Sequence, residues 1–129
     1  MSAPNLKIIK RIYEAFENRD MPTFLSLLSP AINVIQCPEV PWGGSFDGFP
    51  GVEAFFGKVN LYLDSHVVIE RILNGGDRVA VIGRACGTVK ATGGHFDVPL
   101  MHLWAFHAGL AARLEIVLDV PLILAALSH

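Results

Sequence analysis

The first half of the chain repeats apolar side chains with the period of an α-helix, interrupted by one β-branched run. Asp20 is a suitable N-cap for the second predicted helix, and Pro30 is expected to end that helix. The pattern predicts, in chain order, a helix from about Pro4 to Asn18, a helix over Met21–Leu28, a strand over 31–37 and a helix from Gly51 to about Leu61.

The second half changes to apolar runs that are typical of strands and are separated by short turn sequences. These turns are Asn74-Gly75-Gly76-Asp77, Ala91-Thr92-Gly93-Gly94 and Ala108-Gly109. Short turns between consecutive strands predict an antiparallel meander. The four predicted strands cover 66–73, 78–90, 96–107 and 110–118, and Asp119 with Pro121 then begins a last short helix that ends near Leu127.

This order of elements predicts an α+β fold, with helices over the concave face of a curved antiparallel sheet. One face of the strand 96–107 carries Val98, Leu100, His102, Trp104 and Phe106, and the other carries Pro99, Met101, Leu103, Ala105 and His107. Both faces are mostly apolar, so the helices are expected to cover one and a second subunit the other. The sequence leaves open which face borders the helices. If it is the odd-numbered face, His107 and Met101 take the place of His102.

Composition supports a single domain over residues 1–129 with more apolar surface than one core needs. The chain is 52% hydrophobic and only 17% charged, below the usual quarter, which favours a hydrophobic cavity, a subunit interface or both. The net charge of −2 without a basic cluster argues against nucleic acid as a partner. The apolar runs are shorter than a membrane span requires. Cys37 and Cys86, without CxxC spacing, indicate reduced thiols in a cytoplasmic protein.

A loop rich in glycine and proline, residues 41–51, precedes the third predicted helix. Such a loop follows a restricted path, and its Trp42 needs shelter from solvent. Loops of this kind, held between rigid elements, often roof a pocket. The loop therefore predicts a pocket beside the sheet.

The order of elements and three motifs resemble the nuclear transport factor 2-like superfamily, and within it the SnoaL-like group of small cone-shaped proteins. The motifs are Trp42-Gly43-Gly44 through Gly51-Val52-x-x-Phe55-Phe56, His102-x-Trp104-x-Phe106, and Leu118-Asp119 at the start of the last helix. The resemblance covers essentially the whole chain. It implies a deep cavity between helices and sheet, a small apolar ligand, and a homodimer formed through the sheet.

Members of this superfamily include ketosteroid isomerases, epoxide hydrolases, polyketide cyclases and non-catalytic binding domains. Steroid isomerases keep a carboxylate where this chain has Gln36, and they use a tyrosine about one position away from Tyr13. Limonene-type epoxide hydrolases need an Arg-x-Asp pair on a strand, which the predicted strands lack. SnoaL-type cyclases are the most similar, and the resemblance gives His102 and Asp119 the positions of their catalytic histidine and aspartate.

Asp119 and His102 are therefore the predicted catalytic pair. An enclosed Asp119 could have a raised pKa and remove a proton next to a carbonyl, while His102 polarises that carbonyl or relays the proton. Each residue also has a structural interpretation. Asp119 before Val120-Pro121 is a good N-cap, and His102 could be a core histidine bonded to the backbone.

The predicted substrate-binding residues are the aromatic and amide side chains near the pocket, namely Trp42, Trp104, Gln36, Phe55, Tyr13 and Phe16. Gln36 can orient a ligand but cannot act as a base. Arg113 and Glu115 are interpreted as a solvated edge rather than a charged cluster in the cavity. The five histidines lack metal-binding spacing, and no cofactor is expected.

Three functional hypotheses follow. The first is a cofactor-independent isomerase or cyclase that transfers a proton on a small apolar carbonyl compound. The second is a non-catalytic ligand-binding or dimerisation module of the same fold. The third is a subunit-association domain whose cavity is filled by its own side chains.

Overall fold

A computed structural model describes residues 3–128 and contains four helices and six strands within that range. The helices are α1 (Ala3–Glu17), α2 (Met21–Ser26), α3 (Gly48–Tyr62) and α4 (Val120–Leu127). The strands are β1 (Leu28–Gln36), β2 (Gly44–Asp47), β3 (Leu63–Asn74), β4 (Arg78–Val89), β5 (His95–His107) and β6 (Leu110–Leu118).

All six strands belong to one sheet with the order β2-β1-β6-β5-β4-β3. Strands β3 to β6 form the predicted antiparallel meander, because each pairs with the next across a short turn. Strand β1 lies parallel to β6 and antiparallel to β2. The α+β class is confirmed, but the sheet is mixed where a wholly antiparallel sheet was predicted. The sequence separation between β1 and β6 hides their pairing from local patterns.

Two predictions near the start of the sheet are wrong. Helix α2 ends at Ser26, and Pro30 lies inside β1 instead of ending the helix. The register between β1 and β6 shifts between Leu28 and Asn33, and such an irregularity accommodates a residue without a backbone N–H. The predicted loop also contains the short strand β2, which the glycine-rich sequence conceals.

The helices cover the face of the sheet that carries the even-numbered residues of β5. Trp104 pairs with Val79 on β4 and Leu114 on β6, and all three are buried. Helix α1 contributes the buried Ile9 and Ile12 to the same core. Since side chains alternate across a strand, Met101 and His107 lie on the opposite, outer face. The structure therefore answers the question that the sequence left open, in favour of His102.

No helix in the range 3–128 is both long enough and apolar enough to span a bilayer.

Candidate functional site

A cavity of about 300 Å³ lies between the helices and the inner face of the sheet. Its walls are mostly apolar, and all of the predicted site residues except Asp119 line it. They are Tyr13, Phe16, Gln36, Trp42, Phe55, His102 and Trp104. A volume at the lower end of the range for ligand pockets suits a small molecule of one or two rings.

A chain of hydrogen bonds crosses one wall of this cavity. The indole Nε1–H of Trp104 donates to the Tyr13 hydroxyl at 2.9 Å, and that hydroxyl lies 2.6 Å from Nδ1 of His102. An indole N–H can only donate, so the Tyr13 oxygen accepts from it and its own proton is free for Nδ1. In this arrangement the neutral imidazole of His102 carries its proton on Nε2.

The three rings also hold one another in place by packing. The ring planes of Tyr13 and His102 are only 12° from parallel and their centroids are 5.9 Å apart, so the two rings lie side by side along their hydrogen bond. Trp104 meets Tyr13 edge to face at 6.1 Å. An edge-to-face contact is one of the preferred aromatic geometries. Packing and hydrogen bonding therefore fix the orientation of the His102 ring together.

Burial keeps this chain of side chains uncharged. The protein surrounds His102, whose accessible surface borders the cavity, and burial lowers its pKa to about 4. Burial also raises the pKa of Tyr13, although the hydrogen bond from Trp104 acts in the opposite direction. An unfolded histidine titrates near pH 6.5. The neutral His102 therefore contributes stability that is complete above about pH 6.5 and is lost as the pH falls toward 4.

Gln36 places a second polar group on the inner face of the sheet. Gln36 is only 2% exposed to solvent, and it lines the cavity. The one hydrogen bond of its side chain within the described range is a weak contact from Nε2 to Sγ of Cys37, at 3.7 Å. Gln36 and His102 both pair with Ile116, from β1 and from β5, so the three residues form one row across the sheet.

Asp119 has a different environment from the one predicted for a catalytic base. It is the N-cap of α4, and its Oδ1 accepts the backbone N–H of Leu122 at 3.1 Å. It is not among the residues that line the cavity. The structure therefore gives Asp119 the capping role and does not bring it together with His102.

The cavity mouth contains two charged residues that the sequence did not assign to the site. The guanidinium of Arg19 donates from Nη2 to the carbonyl oxygen of Ser65 at 3.1 Å and lies 4.9 Å from the centroid of the Phe16 ring. This contact connects the end of α1 to the start of β3. Asp20 also lies at the mouth, where it caps α2. Local sequence carries no signal for a contact between residues 46 positions apart.

One ion pair of β6 lies away from the cavity. Arg113 and Glu115 form a loose ion pair at 3.8 Å on the outer face, with side chains that are 53% and 44% exposed. Across residues 3–128, no cluster of three His, Cys, Asp or Glu side chains is arranged to hold a metal ion.

Comparison with protein families identifies the family of this chain. A family model for the SnoaL-like domain matches residues 9–114, which is most of the chain. The chain belongs to the SnoaL-like family. A search of curated proteins found no match.

Solved structures agree with this membership. The SnoaL-like chain superimposes on a nuclear transport factor 2-like protein of unknown function from Burkholderia pseudomallei with a TM-score of 0.91, at 24% identity over 98% of this chain and 99% of the other. TerC, co-crystallised with polyporic acid, has a TM-score of 0.89 at 23% identity, over 98% and 100% of the two chains. A candidate SnoaL-like polyketide cyclase from Jannaschia has a TM-score of 0.85 at 18% identity, over 97% and 92%. At these identities the likeness establishes the fold of this SnoaL-like protein and leaves its activity to the site itself.

Proposed function

We propose that this SnoaL-like protein binds a small, neutral, apolar carbonyl compound in its cavity, with the carbonyl oxygen accepting a hydrogen bond from Nε2 of His102. The observation that carries the proposal is the hydrogen-bond chain from Trp104 through Tyr13 to His102 within an apolar enclosure. Because Nδ1 already accepts from Tyr13, Nε2–H is the group that the imidazole can offer to a ligand.

The charge distribution of the cavity supports a neutral ligand. Among the described residues that line it, the charged ones are Arg19 and Asp20, and both are exposed at the mouth. An ionised group placed deeper would lose its hydration without gaining a partner of opposite charge, which costs far more than burial of a carbonyl. Trp42 and Phe55 supply flat apolar walls for rings.

A second candidate function is proton transfer on the bound compound, as in a cofactor-independent isomerase or cyclase. The neutral imidazole favours it, because Tyr13 could stabilise negative charge that develops through His102 when a ligand carbonyl becomes an enolate. The proton acceptor is the weaker part of this candidate. Asp119 caps α4, and Asp20, the lining carboxylate in the described range, caps α2 at the mouth. We therefore place binding first and catalysis second.

The binding proposal is tested with 1-tetralone and with tetralin, the same two-ring skeleton without the carbonyl. Quenching of the emission from Trp42 and Trp104, the two tryptophans, reports occupancy of the cavity. His102→Phe is expected to weaken 1-tetralone binding about 10-fold, because it removes one hydrogen bond of roughly 1.4 kcal/mol. Tetralin should bind wild type and variant equally well.

Asp119→Asn is the matched control, since asparagine is also a good N-cap and its position lies outside the cavity lining. It should leave both affinities unchanged. Because the pKa of His102 is about 4, 1-tetralone affinity should stay constant between pH 8 and pH 5. Equal binding of both ligands by wild type, or a fall in affinity centred near pH 6.5, would contradict the proposal.

We also propose that two copies associate through the outer face of the sheet. Ile82, Met101, Leu103 and Val117 lie on that face, and Val117 is 48% exposed. These side chains are neighbours in the strand register and form an apolar patch beside the Arg113–Glu115 ion pair, and such a patch on a monomer is a common mark of a subunit interface.

Light scattering on wild type and Leu103→Asp tests the association. The wild type should have a mass of about 28 kDa, twice the 14.0 kDa of the chain, and the variant should return to the mass of one chain. Glu53→Arg, a charge reversal at an exposed position of α3, is the control and should stay dimeric. A wild type of about 14 kDa at working concentration would disprove the dimer.

A further inference from the structure

We infer that the ligand is a hydroxylated aryl ketone, with its hydroxyl group on the ring edge opposite the carbonyl and bound there by Gln36. The inference rests on the proposed function, because it takes the carbonyl at His102 as given. It adds a second recognition point and a specific substitution pattern.

Gln36 is a buried amide with unused hydrogen-bonding capacity. Its only side-chain bond in the described range, from Nε2 to Cys37 Sγ, leaves Oε1 and one N–H without a protein partner. No side-chain nitrogen or oxygen in that range is fully enclosed and unbonded, so Oε1 must be open to the cavity. Buried amides nearly always have hydrogen-bond partners, because leaving one unsatisfied is unfavourable. A ligand group is therefore the expected partner.

The sheet register sets the distance between the two recognition points. Gln36, Ile116 and His102 lie in one row on the inner face, on three adjacent strands. Adjacent strands are about 4.8 Å apart, which places the Cα atoms of Gln36 and His102 roughly 10 Å from each other. The apolar Ile116 lies between them. A ring system over Ile116 would direct polar groups at opposite edges toward the two side chains.

The hydrogen-bonding groups of His102 and Gln36 determine which ligand groups each residue can bind. His102 offers a donor, so it takes a carbonyl oxygen. Gln36 offers Oε1 as an acceptor and one N–H as a donor, and a hydroxyl group can use both, whereas a second carbonyl uses only the N–H. A carboxylate would bring a buried charge without a counter-ion and repel Oε1. The pattern therefore selects a neutral compound with one carbonyl and one distant hydroxyl group.

The experiment compares three ligands in wild type and Gln36→Met by isothermal titration calorimetry. They are 1-tetralone, 6-hydroxy-1-tetralone with its hydroxyl across the ring system, and 8-hydroxy-1-tetralone with its hydroxyl bonded internally to the carbonyl. Wild type should bind the 6-hydroxy compound about 10-fold more tightly than 1-tetralone, as expected for one added hydrogen bond. Gln36→Met should abolish this advantage, so that it binds the 6-hydroxy compound and 1-tetralone with equal affinity. The 8-hydroxy compound should show no advantage in either protein.

The outcomes separate this inference from the function beneath it. If 1-tetralone binds in a His102-dependent manner but the 6-hydroxy group gives no gain, the hydroxyl recognition is wrong and the carbonyl site stands. A gain that persists in Gln36→Met also overturns the inference. If wild type binds none of the three ketones, the proposed function fails and this inference fails with it. If Gln36→Met does not fold, the comparison of the 6- and 8-hydroxy compounds in wild type still decides whether the distant hydroxyl group is recognised.

Discussion

Tyr13→Phe is expected to lower the free energy of unfolding by about 2–4 kcal/mol, although it removes a single oxygen atom. The Tyr13 hydroxyl serves two buried partners, the Nε1–H of Trp104 and Nδ1 of His102. Without the hydroxyl group, the two nitrogen atoms remain buried but lose their hydrogen bonds, so the cost of removing them from water is no longer offset. Urea unfolding followed by far-UV circular dichroism measures the change. Binding of 1-tetralone should also weaken, because His102 is no longer held in one orientation and tautomer.

Tyr62→Phe is the matched control, since Tyr62 is the other tyrosine and is 39% exposed. It should change stability by less than about 0.5 kcal/mol. The double variant Tyr13→Phe/His102→Phe should lose less than the sum of the two single losses, because both remove the same hydrogen bond. If Tyr13→Phe unfolds at the same urea concentration as Tyr62→Phe, the hydrogen-bond chain is not formed in solution.

Gly83→Ala is expected to cost at least about 3 kcal/mol or to prevent folding. Gly83 lies on β4 opposite Ile69, where β3 carries a register irregularity. A Cβ atom at this position would overlap the carbonyl oxygen of Val68 and lie 3.1 Å from Cα of Ile69. These are backbone atoms of a paired strand, so they can move only if the β3–β4 ladder opens. The pairing with β4 holds β3 in place as one wall of the cavity. Ligand binding should therefore be lost when the β3–β4 ladder opens.

Gly57→Ala is the opposite case and the control. Gly57 lies within α3, and a Cβ atom there would meet nothing within 4 Å. Alanine should therefore stabilise the helix by about 0.5–1 kcal/mol. Thermal unfolding of both variants distinguishes the two effects. A Gly83→Ala protein that unfolds at the wild-type temperature would show that β3 and β4 are not as close as described.

Local patterns predict most elements of this protein closely. The predicted strand 110–118 coincides with β6, and Asp119 caps α4 as the Asp-Val-Pro sequence indicates. Turn residues are equally informative, since the three glycine-containing turns separate β3, β4, β5 and β6. Each of these features depends on residues a few positions apart, which is the range over which periodicity and capping act.

For the site too, features that depend on nearby residues could be predicted, and contacts between distant residues could not. Aromatic and amide residues near the Trp42 loop could be proposed from sequence, and Gln36, Trp42 and Tyr13 do border the cavity. The pairing of Tyr13 with His102 could not, because it joins residues 89 positions apart. The placement of Asp119 outside the cavity likewise depends on the direction in which α4 leaves the sheet.

The order of amino acids alone specifies the four helices, the meander and the family, because helix and strand periods, turn residues and short motifs are local properties. The tertiary structure alone decides that β1 runs parallel to β6, that the even-numbered face of β5 borders the cavity, and that Tyr13 connects Trp104 to His102. These features arise when distant segments bury apolar surface together, and that packing determines which polar groups lose water and must find partners in one another.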